Sequence, residues 1–259
     1  MVPIPTRIES LLRHERAALT VVLLVIPIVS WTWVVALARD MHGSMTGASA
    51  WMMTMVWDGP HLVLLWTMWA VMMAGMMLPS ATPVLLLCGR AARNRDGRQR
   101  VAARVYALAA GYLLVWSVFS VAATFLQRAL ASALLLTPMM EPATPLAAAT
   151  ILTIAGVYQF LPMKRACLQA CRSPIGFLTR YWRPGVAGAF RMGITHGMYC
   201  LGCCWALMLL LFAGGVMNLA VILALTVWVI IEKTAPFAHH GARLAGVLLI
   251  ATALWMLAA

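Results

Sequence analysis

The chain has 259 residues, of which 63% are hydrophobic and only 10% are charged, and its mean hydropathy is +0.90. A soluble domain of this length needs many charged side chains to cover its surface, so this composition excludes a soluble globular protein. The formal net charge is +12, but the arginines cluster in short segments between apolar runs. Membrane proteins fix their orientation in this way, and nucleic acid is therefore excluded as a partner. The composition predicts an all-α, polytopic transmembrane helix bundle that has the lipid bilayer as its main partner.

Residues 1–18 form a predicted cytoplasmic segment of amphipathic character. Apolar and charged side chains alternate there at helical spacing: Ile4, Arg7, Ile8, Glu9, Leu11, Leu12, Arg13 and Arg16. Such a helix is expected to lie along the membrane surface. No later linker is long enough to separate domains, so residues 19–259 are predicted to form a single transmembrane helical domain.

Seven apolar runs approach the roughly 20 residues that cross a bilayer. In chain order they are Leu19–Ala38, Leu62–Cys88, Val105–Leu126, Leu146–Met163, Gly193–Met217, Leu219–Ile231 and Leu244–Leu257. With seven spans, every basic cluster falls on one side, and only Arg39 and Arg128 lie in the opposite loops. An excess of basic residues marks the cytoplasmic side, so the N-terminus is predicted to be cytoplasmic and the C-terminus external. The last two runs are short, and six spans is the alternative count.

Methionine is concentrated on the outer side and in the second predicted span, where ten of the 19 methionines fall between residues 41 and 77. Five of them share one helix face because they recur at steps of four: Met68, Met72, Met73, Met76 and Met77. Asp58 and His61 begin the same span on the outer side, where they are placed to receive an incoming cation. The alternative interpretation is that these methionines are flexible apolar filler.

A cysteine cluster occupies the fifth predicted span. Cys200, Cys203 and Cys204 fall within one helical turn, and His196 lies one turn earlier. Thiolate and thioether sulfurs select soft metals such as Cu(I) or Zn(II). At the helical rise per residue, the cysteines and the methionine face both lie near the bilayer middle, where they can form one site. The alternative is that the cysteines are ordinary small hydrophobic residues.

A redox interpretation of the cysteines also stays open, because Cys-x-x-Cys motifs serve thiol–disulfide exchange. Cys167 and Cys171 are predicted to be cytoplasmic and reduced, and they are not included in the candidate site. Gly193 and Gly197 form a small-xxx-small pattern that permits close helix approach. We expect this pattern to bring the fifth span against the second.

Four sequence blocks carry a resemblance to a known family: Met72–Ser80, Gly197–Met208, Gly215–Asn218 and the Glu232-Lys233 pair. At these residues the chain resembles a bacterial family of predicted metal-binding integral membrane proteins of undefined function. The resemblance implies a multi-pass protein of the bacterial cytoplasmic (inner) membrane in which the three clustered cysteines are the presumed ligands. It supplies no substrate.

The sequence therefore predicts a metal-binding membrane protein that handles copper as Cu(I), in uptake, storage or delivery. Thioether ligands suit Cu(I) and do little for Zn(II) or Fe(III). The candidate metal ligands are Cys200, Cys203, Cys204, Met72, Met73, Met76, Met77, His196, Asp58 and His61. A metal-delivery protein or a larger membrane complex is the expected protein partner. The alternatives are a non-catalytic accessory subunit of such a complex and a membrane thiol oxidoreductase, and no catalytic residue is assigned.

Overall fold

The computed structural model describes residues 17–43, 45, 48–54, 57–95, 100–235 and 238–258. This part of the chain is helical almost throughout and contains no strand, only an isolated bridge between Leu136 and Pro142. The predicted all-α class is therefore confirmed. The predicted amphipathic segment lies outside the described residues, except for its last two positions, which begin the first helix.

The described residues form twelve α-helices and a short 3-10 helix, Pro79–Ala81. The α-helices are α1 Ala17–Met41, α2 Ala48–Met52, α3 Gly59–Met77, α4 Thr82–Arg95, α5 Val101–Ser132, α6 Pro145–Tyr158, α7 Pro162–Arg172, α8 Pro174–Tyr181, α9 Gly185–Met208, α10 Leu210–Gly214, α11 Leu219–Thr234 and α12 Ala238–Ala258. Within α1, Val21–Val25 form a π-helical turn.

Five stretches of the described chain are helices long and apolar enough to cross a membrane: Ala17–Met41, Gly59–Asn94, Val101–Ser132, Gly185–Gly214 and His240–Ala258. A sixth is added if α6 and α7, which meet at a bend of 66°, count as one broken span. The predicted span Leu219–Ile231 lies in α11, a helix of only 16 residues. The seven-span count and the cytoplasmic N-terminus stay predictions.

Prolines and capping side chains set the breaks between the later helices. Pro162 and Pro174 stand at the start of α7 and α8, where an N–H would have no helical partner in any case. Before α11, the Asn218 side chain accepts hydrogen bonds from the backbone N–H groups of Ala220 and Val221 at 3.1 and 3.4 Å. These breaks let the short helix α7 pack on α9, and let α11 contact α3 and α7.

The centre of the bundle is α5, which packs closely on α3 and α9. A Cβ on Gly193 would lie 2.1 Å from the carbonyl oxygen of Leu108, and one on Gly197 would lie 2.9 Å from the Val115 side chain. The predicted close approach of α9 is thus present, but its partner was predicted wrongly. The glycines bring α9 against α5 and not against the second span, because the bare face of α9 meets the backbone of α5.

Candidate metal centre

The three clustered cysteines lie in the interior of the bundle. Cys200, Cys203 and Cys204 occupy one turn of α9, and each is 0% exposed. The thiols of Cys203 and Cys204 donate to the backbone carbonyl oxygen of Cys200 at 3.1 and 2.9 Å. The helical spacing therefore places these soft donor atoms together, on one side of α9 and away from the surface.

The sulfur of Cys200 is contacted by polar groups from two other helices. The ammonium group of Lys233 on α11 donates to it at 2.9 Å, and the hydroxyl of Tyr112 on α5 lies 3.0 Å away. Both side chains are buried. A buried ammonium group needs an anionic partner to offset its desolvation. The contact with Lys233 therefore offsets part of the cost of placing a negative charge on the sulfur of Cys200.

A buried ion pair stands beside this contact. The Lys164 ammonium of α7 lies 2.6 Å from a carboxylate oxygen of Glu232, and the two side chains are 0% and 1% exposed. Lys164 also donates to the side-chain oxygen of Gln159. Glu232 is next to Lys233 in α11, but neighbouring helical residues point in different directions. The carboxylate therefore neutralises Lys164, and the thiol cluster faces Lys233.

The methionine face of α3 is turned into the protein. Met68, Met72, Met73, Met76 and Met77 are all buried, and they belong to the same continuous core as the three cysteines. A lipid-exposed stripe would have supported the filler interpretation, but these side chains line the interior.

The C-terminal end of α3 and the 3-10 helix that follows it are linked to the sulfur of Cys200 through two bridging side chains. Tyr112, which touches Cys200, also donates from its hydroxyl to the carbonyl oxygen of Met77 at 2.9 Å. Lys233 donates both to the hydroxyl oxygen of Ser80, at 2.8 Å, and to Cys200. Side chains of α5 and α11 thus connect this segment to Cys200, without extensive packing between α3 and α9. The expected convergence of methionine and cysteine sulfur atoms stays a prediction.

His196 lies one turn before Cys200 on α9 and is buried. Its ring stacks on Tyr112 with centroids 5.7 Å apart and meets Phe177 of α8 edge-on at 5.1 Å. Its Nδ1 atom has no hydrogen-bond partner among the described residues. The histidine thus packs beside the thiol cluster with one ring nitrogen uncommitted.

Asp58 and His61 lie at the opposite end of α3 from the thiols. The exposed Asp58 caps α3, because its carboxylate accepts from the backbone N–H of His61 at 2.9 Å. The His61 ring is buried between Trp51 and Trp57, with centroid distances of 6.2 and 5.2 Å. The structure therefore does not bring these two predicted ligands to the cysteines, and it gives Asp58 a capping role.

Two further cysteines, left out of the predicted site, lie against it. Cys171 of α7 is buried, and its thiol lies near Cys203. Cys167, one turn earlier, places its sulfur only 2.6 Å from where a Cβ on Gly202 would be. Their spacing of four residues was a readable signal of a shared helix face. This shared face was missed because both cysteines were predicted to lie in a cytoplasmic loop.

The thiols are committed to hydrogen bonds as the structure stands. Cys203 and Cys204 donate to a carbonyl, and Cys200 accepts from Lys233. Within the described ranges, no three His, Cys, Asp or Glu side chains form a group that could hold a metal ion. Ligation therefore requires that the thiols lose their protons and rotate to new rotamers.

The comparisons with known proteins give one match. Residues 66–256 match the model of the PpoB2 family, which is described as a copper chaperone. The matched segment runs from α3 into α12 and includes the methionine face and the cysteine cluster, whereas Asp58 and His61 precede it. No curated protein and no solved structure matches the chain. The predicted relation to copper is thus confirmed, and the chain belongs to the PpoB2 family of copper chaperones.

Proposed function

We propose that this protein is a membrane-embedded copper chaperone that holds Cu(I) on the sulfur atoms of Cys200, Cys203 and Cys204 and delivers it to another protein. The observation that carries the proposal is the buried ammonium group of Lys233, which donates to the sulfur of Cys200 beside two further thiols. Soft sulfur donors select Cu(I) over harder ions.

Lys233 has an electrostatic role in this proposal. Cu(I) bound by two or three thiolates carries net negative charge, which is costly in a site removed from water. The ammonium group offsets part of that charge, while Glu232 is already neutralised by Lys164. The hydroxyls of Tyr112 and Ser80 both donate to the carbonyl oxygen of Met77, and the Ser80 hydroxyl also accepts from Lys233. These bonds hold the ammonium group of Lys233 beside Cys200.

Methionines supply the route to the thiols. The buried face of Met72, Met73, Met76 and Met77 on α3 leads toward Ser80 and Cys200. Neutral thioethers bind Cu(I) without adding charge, which suits a path through an apolar interior. Asp58, His61 and the outer methionines are the proposed entry site for copper. His196, one turn before Cys200, is an additional candidate ligand.

The proposed location is the bacterial inner membrane. The five or six apolar helices support membrane insertion, and large apolar side chains such as Leu254 and Trp255 of α12 are exposed, as lipid-facing residues are. The basic clusters support a cytoplasmic N-terminus. We retain seven spans for the single domain of residues 19–259, with α11 as the short span.

Copper titration of the detergent-purified chain tests this function through Lys233. The native protein should bind about one Cu(I) per chain. Lys233→Met removes a charged hydrogen bond to the sulfur and should weaken copper binding about 10- to 100-fold. Lys233→Arg keeps the charge and should lose less affinity.

Equal affinity in the native protein and Lys233→Met would contradict the electrostatic role. A native protein that binds no copper but copurifies with a membrane complex would favour the accessory-subunit alternative. A cysteine-dependent mixed disulfide would favour the oxidoreductase.

A further inference from the structure

We propose that Cys167 and Cys171 form a second, transiently occupied Cu(I) position, the outlet through which copper leaves the buried thiols for its acceptor. The inference deepens the copper-binding function proposed above and rests on it. It concerns two residues that neither the sequence motif nor the family description singles out.

The packing of α7 on α9 sets up the second position. Cys167 and Cys171 stand one turn apart, so their side chains share a face of α7. That face meets α9 at Gly202, where the missing side chain leaves room for the Cys167 sulfur, only 2.6 Å from the site of a Cβ. Cys171, on the same face, lies near Cys203. The sulfur atoms thus continue from the buried cluster onto a second helix.

Exposure increases along this series of sulfur atoms. The three cysteines of α9 are completely buried, Cys171 lies at the edge of the core, and Cys167 is partly exposed. Of the six cysteines, all of which lie in described parts of the chain, Cys167 is the only one that is not buried. The series therefore leads from the closed interior toward the surface.

A cavity of about 260 Å³ opens between α7, α8 and α9, near these two cysteines but not lined by either of them. It is lined by Ala170, Ser173, Gly176, Phe177, Arg180, Tyr181 and Tyr199. Ala170, which lines the cavity, lies three residues after Cys167 and on the same side of α7, and Phe177 of the cavity wall contacts the His196 ring. The cavity therefore lies within about one helical turn of the partly exposed thiol of Cys167.

Transfer along this series is a ligand exchange without change of oxidation state. A bond from copper to Cys171 forms as a bond to one of the α9 sulfurs breaks. The proton of the incoming thiol passes to the thiolate that is released, so charge and atoms balance. The same exchange moves the ion to Cys167, and an acceptor thiol then repeats it.

Release of copper to a water-soluble chelator tests the outlet. Copper-loaded protein is mixed with bicinchoninate, and the coloured Cu(I) complex is followed with time. The Cys167→Ser/Cys171→Ser double variant should hold as much copper as the native protein but release it about tenfold more slowly or worse. Cys88→Ser, at a buried cysteine of α4, is the matched control and should release copper at the native rate.

Two results would overturn the outlet. One is that the double variant releases copper at the same rate as the native protein. The other is loss of bound copper from that variant, which would make these cysteines ligands of the buried site. A native chain that never binds copper would instead reject the proposed function at the loading step.

A second measurement needs no variant. N-ethylmaleimide should modify Cys167 in the loaded native protein, leave copper bound and slow its release to the same degree. Unchanged release after modification of Cys167 would also contradict the outlet.

Discussion

Replacing Cys200, Cys203 and Cys204 together with serine should reduce bound copper from about one ion per chain to none. The oxygen of serine is a hard donor, so the change removes the soft ligands while altering side-chain size little. The helix should tolerate it. A serine hydroxyl can donate to a carbonyl one turn earlier, as the thiols of Cys203 and Cys204 now do. Copper is measured by metal analysis of the purified protein.

Cys88→Ser separates the effect of these ligands from a general effect of removing a buried thiol. It lies on α4, which carries none of the clustered cysteines, and should leave copper occupancy unchanged. Full occupancy in the triple variant would show that Cu(I) binds elsewhere and would refute the assignment of these three ligands.

Glu232→Gln should lower the free energy of unfolding by about 3–5 kcal/mol, because it leaves the ammonium group of Lys164 without its anionic partner. Both members of this pair are buried, and the oxygen and nitrogen lie 2.6 Å apart. The Gln159 side chain remains as a neutral acceptor for Lys164, which offsets only part of the loss. The midpoint of thermal unfolding in detergent measures the change.

The double variant Lys164→Met/Glu232→Leu is the informative control. It removes both charges at similar volume, and replacing a buried ion pair in this way is often neutral or stabilising. Its unfolding midpoint should therefore return close to that of the native protein. If Glu232→Gln alone unfolds like the native protein, the pair does not act as a buried ion pair.

The spacing of the sulfur residues predicted much of the candidate site. Helical steps of four placed the methionines on one face of α3, and the three cysteines fell in one turn of α9, both now found in the core. Local spacing is enough for this, because neighbours along one helix are fixed by its geometry.

The spacing of residues along one helix could not predict the side chains that other helices bring to Cys200. Tyr112 and Lys233 are 88 and 33 residues from Cys200 in sequence, so only the tertiary packing brings them to its sulfur. Gly193 shows the same limit. The small-xxx-small pattern predicted a close helix neighbour, but any of several helices could have filled that place.

The chain segment after the fourth predicted span shows how a helix break can lead hydropathy to the wrong prediction. The apolar run Leu146–Met163 ends in the bend between α6 and α7, and Pro162 starts a new helix there. From hydropathy alone, the residues beyond this run, including Cys167 and Cys171, are predicted to form a polar loop. In the structure they form α7, which packs on α9 and brings both thiols to the cluster.

X-ray absorption spectroscopy of the copper-loaded native protein tests the central claim most directly, because it reports the oxidation state and the ligand atoms together. We predict a Cu(I) edge and two or three sulfur neighbours at about 2.3 Å, close to other metal–thiolate bonds. The sulfur shell should disappear in the Cys200→Ser/Cys203→Ser/Cys204→Ser variant. A shell of only nitrogen or oxygen neighbours at about 2.0 Å, as imidazole and carboxylate ligands give, would contradict a thiolate-bound copper centre.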